Sequence, residues 1–373
     1  MKVLFFIRSL ELGGSQRQLA ALAGGLAGRG HQVAVAMFYD GGPNEDTLTS
    51  IGVRLIYLQK SSRWDVFSPL LRLSFLIRAE RPDVLYAFLP TQNALAAFLA
   101  PFGAKTRLVF GVRAAGMQAV HYDALSAVIY PIEATLSRRA DLIIANAEAG
   151  RIDAIKRGMP ADRIVVIPNG IDTGIFRPDP EERKALRRQW NIEEGSFVIG
   201  FVARLDPMKD HKNFLNAAAK FMQYDPSARY VCVGGGQKEY RESIMAHAWS
   251  VGLDDRIIWA GEIRNARAVY NAFDIATLSS AFGEAFPNAI GEAMACGVPV
   301  VATDIGDVAS ILGKLGEVVP PAEPDLLCAG WVKMRQRVKD EPTIRSAVRQ
   351  RIVENYNITT MAARTEQELT KII

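Results

Sequence analysis

Short runs of apolar residues recur along the chain, and between them the apolar positions spread to helical spacing. Runs at 2–7, 33–38, 54–58, 84–88, 108–112 and 142–145 are apolar almost throughout, which predicts strands buried on both faces. Between the first two runs, Leu19, Leu22, Ala23 and Leu26 fall on one face of a helix. Ser15 with Gln18 three residues on reads as a capping box, and Gly30 is placed to end the helix. The alternation then begins again, with runs at 197–203, 230–233, 257–259, 275–278, 300–302 and 317–319, each followed by a turn. Strands alternating with helices predict parallel sheets covered on both sides. Two such sets predict two Rossmann-like, doubly wound α/β domains facing each other across a cleft.

Between the sets lies VVIPNGIDTGIFRPDPEER, where Asn169-Gly170 supplies a turn and three prolines within thirteen residues block regular helix. The boundary is placed there, giving domains at 1–168 and 169–357.

Composition narrows the class. The chain has 373 residues, more than one core usually absorbs. Hydrophobic residues make up 49% and charged residues 23%, which excludes a disordered chain. No apolar run approaches the ~18 residues that span a bilayer. Arg8 interrupts the apolar stretch from Val3 to Ile7 before a secretory core could form. Cys232, Cys296 and Cys328 are far apart, without metal-ligand spacing or a disulfide framework, so a reduced, cytoplasmic setting is expected. The net charge of +4 argues for no nucleic acid. It is unevenly spread: residues 1–170 carry 19 Lys+Arg and 13 Asp+Glu, whereas 171–373 carry 25 and 27. The amino-terminal part is thus the better candidate for an anionic partner, a phosphorylated acceptor or an acidic membrane face, against a scatter of solvated arginines.

Open α/β sheets bind ligands beyond the carboxyl ends of their strands, where turns lead into helix amino termini. Three turns qualify. In ELGGSQ, the amides of Gly13 and Gly14 can approach an anion closely. In FVARLDPMKDHKN, Arg204 and Lys209 lie five apart on a loop that Pro207 keeps out of helix. Two cations there could clamp a diphosphate, or simply pair with Asp206 and Asp210. In SSAFGEAFPNAIGEAMACGVPVV, Pro287 suits the first position of a helix and Gly297 the position past its end. Glu284 then precedes that helix and Glu292 falls in its second turn. Near the positive end of a helix a carboxylate stays ionised and accepts hydrogen bonds from sugar hydroxyls. The plainer alternative makes Glu284 a cap and Glu292 a solvated residue.

Taken together these residues resemble the retaining glycosyltransferases of family 4, which have the GT-B fold. The resemblance rests on Glu284 and Glu292 around Phe286-Pro287-Asn288, on Arg204 and Lys209, on Gly13-Gly14, and on IPNGID from Ile167 to Asp172. It runs over essentially the whole chain. It implies a metal-independent, retaining transfer from a nucleotide-diphosphate sugar, a UDP-sugar by expectation, to a glycan or lipid-linked acceptor. By the same mapping Arg204, Lys209 and Glu284 are catalytic. Arg204 and Lys209 hold the diphosphate; Glu284 and the amides around Phe286 and Asn288 hold the sugar, with Pro287 fixing the turn. Glu292 takes the ribose, Ile263 within Glu262-Ile263-Arg264 lies where the base is read, and Gly13 and Gly14 bring amides to the phosphates. A last helix, about 358–373, with Met361, Leu369 and Ile372 as its apolar residues, packs back on the first domain. No metal and no further cofactor are expected, since no Asp-x-Asp pair follows a strand.

One position departs from the family. Many relatives place a histidine after the fifth strand, where this chain has Arg113, which then contacts a phosphate or the acceptor. His121 could compensate or be a plain helix or loop residue; His31 reads as structural, His211 as solvated or else within reach of the phosphates, and Asn146 as a helix N-cap. Gly234-Gly235-Gly236 could pass close to the donor or be a flexible turn. The stretch 63–78 mixes Trp64, Phe67, Leu70, Leu71, Leu73 and Phe75 with Arg63, Arg72 and Arg78. It reads either as a helix covering the sheet or as a peripheral contact at the inner face of the cytoplasmic membrane. Rival readings are a nucleotide-sugar epimerase and a non-catalytic nucleotide-sugar-binding assembly subunit. A nicotinamide dehydrogenase is disfavoured, because LGGSQRQ lacks the third glycine of the dinucleotide fingerprint.

Overall fold

Uninterrupted apolar runs cannot leave either face in water, and they become the inner strands of two sheets. In the computed structural model, residues 1–373 are described apart from 12, 44, 61–64, 66, 100–104, 117–123 and 264. They fall into two units, Met1–Gly170 with Ile358–Ile373, and Ile171–Asn357.

The first unit holds β1 (Lys2–Ile7), β2 (Gln32–Met37), β3 (Arg54–Tyr57), β4 (Val84–Phe88), β5 (Arg107–Val112), β6 (Leu142–Ala145) and β7 (Ile164–Val166). They run parallel in the order β3-β2-β1-β4-β5-β6-β7. Alternate residues of β1 serve opposite cores. Val3, Phe5 and Ile7 pack with Leu19, Leu22, Leu26, Met361 and Leu369; Leu4 and Phe6 pack with Leu73, Ile77 and Ala96. β7 lies inside what reads in sequence as linker, since only three residues pair before Pro168 ends the strand. The helix Ile358–Ile372 buries Met361, Ala362, Thr365 and Leu369, and lies against the helix Gly14–Gly28 so closely that a Cβ on Gly25 would come within 2.8 Å of Ala362.

The second unit holds β8 (Val198–Val202), β9 (Arg229–Val233), β10 (Ile257–Gly261), β11 (Ile275–Leu278), β12 (Val300–Thr303) and β13 (Glu317–Val319), parallel in the order β10-β9-β8-β11-β12-β13. Trp331 is fully buried here, its indole N–H donating to Thr277 Oγ1 at 2.9 Å. Asp274, the residue before β11, accepts from Arg183 and Arg187 at 2.6 Å each, from Arg345 at 3.3 Å and from the Val198 amide at 2.9 Å. One carboxylate thus ties two helices to two strands.

Candidate functional site

In the second unit the chain leaves β8 into a loop that the next strand holds in place. Leu205 N–H donates to the Gly235 carbonyl at 2.7 Å. A Cβ on Gly234 (φ 148°) would sit 1.9 Å from the Ala203 carbonyl oxygen, and one on Gly236 2.3 Å from that of Leu205. The glycine run is therefore a close-packing device rather than a slack turn. Pro207–Lys209 then makes one 3₁₀ turn, begun by Asp206, whose carboxylate accepts from the Met208 amide at 2.9 Å. Asp210 turns the chain at φ 48° and caps the helix His211–Tyr224, accepting from the Asn213 amide at 3.1 Å. Burial pushes the Asp210 carboxyl upward from its ordinary value.

These turns fix Lys209 in an ion pair with Glu284, 75 residues on. Both side chains are largely buried, at 16% and 9% exposure. Ser280 Oγ donates to the same carboxylate oxygen at 2.7 Å, and Ser279 Oγ donates to the carbonyls of Lys209 and Asp210 at 3.0 Å each. Thr303 Oγ1, at the end of β12, donates to the Ser280 carbonyl at 2.6 Å. The exits of three neighbouring strands are thereby stitched together around one lysine. Sequence reading passed over Ser279 and Ser280; their place immediately after β11 was the available signal.

The two cations of the loop differ in environment. Lys209 is paired with Glu284 rather than with Asp210, whereas Arg204 is 64% exposed and pairs with Asp206 at 2.9 Å. Pro287 is the N-cap of the helix Asn288–Ala295, one position earlier than expected, because its ψ of 104° is still extended. Gly297, at φ 75°, lies just past the end as its sequence position suggests. Glu292 is not a solvated residue: it is 4% exposed and accepts from Tyr270 Oη at 3.0 Å. Glu284 makes no cap, since the helix start has no side-chain capping bond. Phe286 is buried against Tyr356, and Ile263 is half-buried just after β10. Arg264 lies outside the described residues.

His211 differs from its solvated reading. It is 1% exposed, its ring 4.7 Å from that of Phe201 and 6.0 Å from that of Tyr240. Burial, with Lys209 nearby, lowers its pKa to about 4. The unfolded chain binds a proton there near pH 6.5 and the folded chain does not, so this stability is complete above that pH and is lost as pH falls towards about 4. The expected loss is on the order of 3 kcal/mol. Denaturant titrations of wild type and His211→Phe across this window check it: the variant flattens the pH dependence, and superimposable profiles would refute it.

In the first unit, Gly13 is the N-cap of the helix Gly14–Gly28, which has no side-chain cap and no acidic residue in its first turn. The capping box is not formed. Gln18 is buried and instead exchanges two hydrogen bonds with the backbone of Gly170, Nε2 donating at 2.9 Å and Oε1 accepting at 3.0 Å. Gly30, at φ 86°, does end the helix. Arg113 follows β5, its Nη2 donating to Tyr86 Oη at 2.7 Å. Asn146 is no N-cap; Ala147 takes that position before the helix Glu148–Lys156. His31 bonds Glu366 at 2.6 Å. Arg63, Trp64 and His121 lie outside the described residues. Among the described residues no helix is long and apolar enough to cross a membrane.

Residues 12–174 match the model of Glycosyltransferase Family 4, and residues 196–336 that of Glycosyl transferases group 1. The chain is 34% identical over 180 residues to a D-inositol 3-phosphate glycosyltransferase of Segniliparus rotundus, covering 47% of this chain and 39% of that protein. It is 29% identical over 216 residues to a 2-deoxystreptamine glucosyltransferase of Streptomyces kanamyceticus, covering 56% and 53%. The matches thus span about two-fifths to one-half of these relatives' lengths. Anabaena Alr3699/HepE, solved with UDP-glucose, superposes with a TM-score of 0.88 at 24% identity over 100% of both chains. WaaG, described as a glycosyltransferase involved in lipopolysaccharide biosynthesis, superposes with 0.73 at 16% identity over 99% of both. Its parallel sheets of seven and six strands are those of the GT-B fold, with a Glycosyltransferase Family 4 domain matched over residues 12–174 and a Glycosyl transferases group 1 domain over residues 196–336.

Proposed function

We propose that the protein transfers a sugar from a nucleotide-diphosphate sugar, a UDP-sugar, to a glycan or lipid-linked acceptor, with retention and without a metal. The observation that carries this reading is the buried Lys209–Glu284 pair, which brings a cation and a sugar-binding carboxylate from two distant loops to one place. Lys209 and the more exposed Arg204 take the charge that develops on the departing diphosphate. Glu284, with the backbone amides about Phe286 and Asn288, orients the sugar; Pro287 sets that turn. Glu292, held by Tyr270, accepts from ribose hydroxyls, and the segment at Ile263 meets the base. Gly13 and Gly14 supply amides for phosphate in the first unit. In the reaction the anomeric C–O bond to phosphate breaks as the acceptor hydroxyl adds on the same face. The departing phosphate oxygen takes the hydroxyl proton, so no protein base is consumed. UDP-sugar screening with candidate acceptors in EDTA tests the reading: transfer with a retained anomeric configuration supports it, and transfer abolished by chelation or giving the inverted anomer refutes it.

Glu292→Ala should weaken UDP binding by about tenfold, the loss of charged hydrogen bonds to a diol, with the fold retained. Calorimetry reads this directly, and unchanged affinity removes the ribose role.

The helix Phe67–Glu80 supports the peripheral membrane contact. It buries Leu73 and Ile77, while Phe67, Leu71 and Phe75 recur every fourth residue on its outer side at 83%, 59% and 63% exposure, with Arg72 and Arg78 also exposed. Sedimentation with anionic vesicles should fall severalfold for a Phe67→Ser/Phe75→Ser variant; equal sedimentation of variant and wild type would refute the contact.

A further inference from the structure

We propose that Arg113 is the principal donor of a subsite for a phosphate-class anion at the carboxyl edge of the first sheet. Strand connectivity reverses between β1 and β4, and ligands bind beyond strand ends at such a switch point. The backbone there is unusual: Leu89, the residue after β4, adopts φ 79°, a left-handed conformation that leucine disfavours.

Arg113 leaves the adjacent strand, β5. Its guanidinium carbon lies 4.1 Å from the centroid of the Phe88 ring, and its Nη2 is taken by the phenol of Tyr86. Its Nε is buried and has no hydrogen-bond partner among the described residues. Burial pushes the Arg113 pKa down, and the Tyr86 phenol opposes this. No carboxylate pairs with it among the described residues; the partly buried Arg349 and Arg351 also lack one but bond two or three carbonyls each, and four other arginines are paired. Arg157 has Glu133 and Asp153; Arg183, Arg187 and Arg345 share Asp274. A partly desolvated cation without a counter-charge is unfavourable in the free protein, and a planar guanidinium fork matches phosphate.

Two neighbours strengthen the assignment. Tyr86 and Phe88 belong to the core cluster on the face that carries the helix Gly14–Gly28. That fifteen-residue helix begins at the same edge of the sheet, and its first turn carries no acid to oppose an anion at its positive end. Asn146 follows β6, its backbone N–H donating to the Val112 carbonyl at 3.1 Å, and its buried Oδ1 has no hydrogen-bond partner among the described residues. The edge therefore offers donors for an anion and, one strand along, an acceptor for a hydroxyl.

The subsite extends the transferase reading, on which it rests only for what the anion is attached to; its test reads binding and melting, not turnover. The full chain, Arg113→Met and Arg113→Lys are titrated with inorganic phosphate and with UDP. Wild type binds phosphate and melts higher in its presence; Arg113→Met loses about tenfold or more in phosphate affinity, and Arg113→Lys, which keeps the charge but not the fork, loses severalfold. Without ligand, Arg113→Met melts at or above wild type, because an uncompensated cation has gone. A parallel loss of UDP affinity assigns the anion to the donor; unchanged UDP affinity assigns it to the acceptor. The subsite is overturned if both variants bind phosphate and UDP as wild type does. It is equally overturned if wild type binds no phosphate and Arg113→Met leaves UDP binding unchanged, or if both variants melt well below wild type without ligand, which makes Arg113 a packing residue.

Discussion

Lys209→Met lowers sugar transfer by about 10²–10³-fold, the size expected when one preorganised charge facing a developing anion is removed. The loss falls mainly in kcat, since the diphosphate gains charge only as the anomeric bond breaks. Arg204→Ala lowers turnover by about 10²-fold through the same leaving group. The two are separable by a second readout. Lys209 shields a carboxylate that is 9% exposed, so Lys209→Met strands Glu284 and destabilises the second unit by about 3–5 kcal/mol. Arg204 is 64% exposed and pairs at the surface, so its removal leaves melting nearly unchanged. Steady-state kinetics beside thermal melting distinguish them. Full activity in Lys209→Met would remove the lysine from the chemistry, and full activity in Arg204→Ala would make the arginine a surface residue.

Asp274→Asn melts the second unit roughly 10 °C below wild type, from a loss of about 3–5 kcal/mol. The carboxylate is 8% exposed and answers three arginines, so neutralising it leaves their guanidinium groups partly desolvated without a counter-charge. Burial alone would raise the Asp274 pKa; Arg183 and Arg187 outweigh it and hold the group below its ordinary value. The sign follows. The stability Asp274 contributes is present above the ordinary carboxylate value and is lost as pH falls through the lowered folded value. Scanning calorimetry of wild type and variant at neutral and acidic pH reads both effects. A variant melting within about 2 °C of wild type would show that the cluster is replaceable by neutral hydrogen bonds.

The sheets were legible because strands buried on both faces must be apolar throughout, and the runs at 84–88 and 142–145 show it without interruption. β7 was not, since three residues followed closely by Pro168 and the Asn169-Gly170 turn carry no periodicity. Local rules misled where a distant partner decided the outcome. Ser15 and Gln18 have capping-box spacing, yet Gln18 is taken by Gly170 across 152 residues. His211 reads as solvated among charged neighbours, yet its ring lies against Phe201 from the preceding strand. The candidate site shows the same limit. Lys209 and Glu284 are each ordinary on their own loops, and only the strand order β8-β11-β12 makes them neighbours. What sequence did carry was their position, each just beyond a strand end, where this architecture puts ligands.

A grip of Lys209 and its loop on a pyrophosphate is read out by comparing the affinities of UDP and uridine for wild type and Lys209→Met by calorimetry. UDP should bind wild type about 10²-fold more tightly than uridine, and most of that ratio should vanish in the variant while uridine affinity is kept. A ratio unchanged by the substitution would place the diphosphate elsewhere and contradict the account.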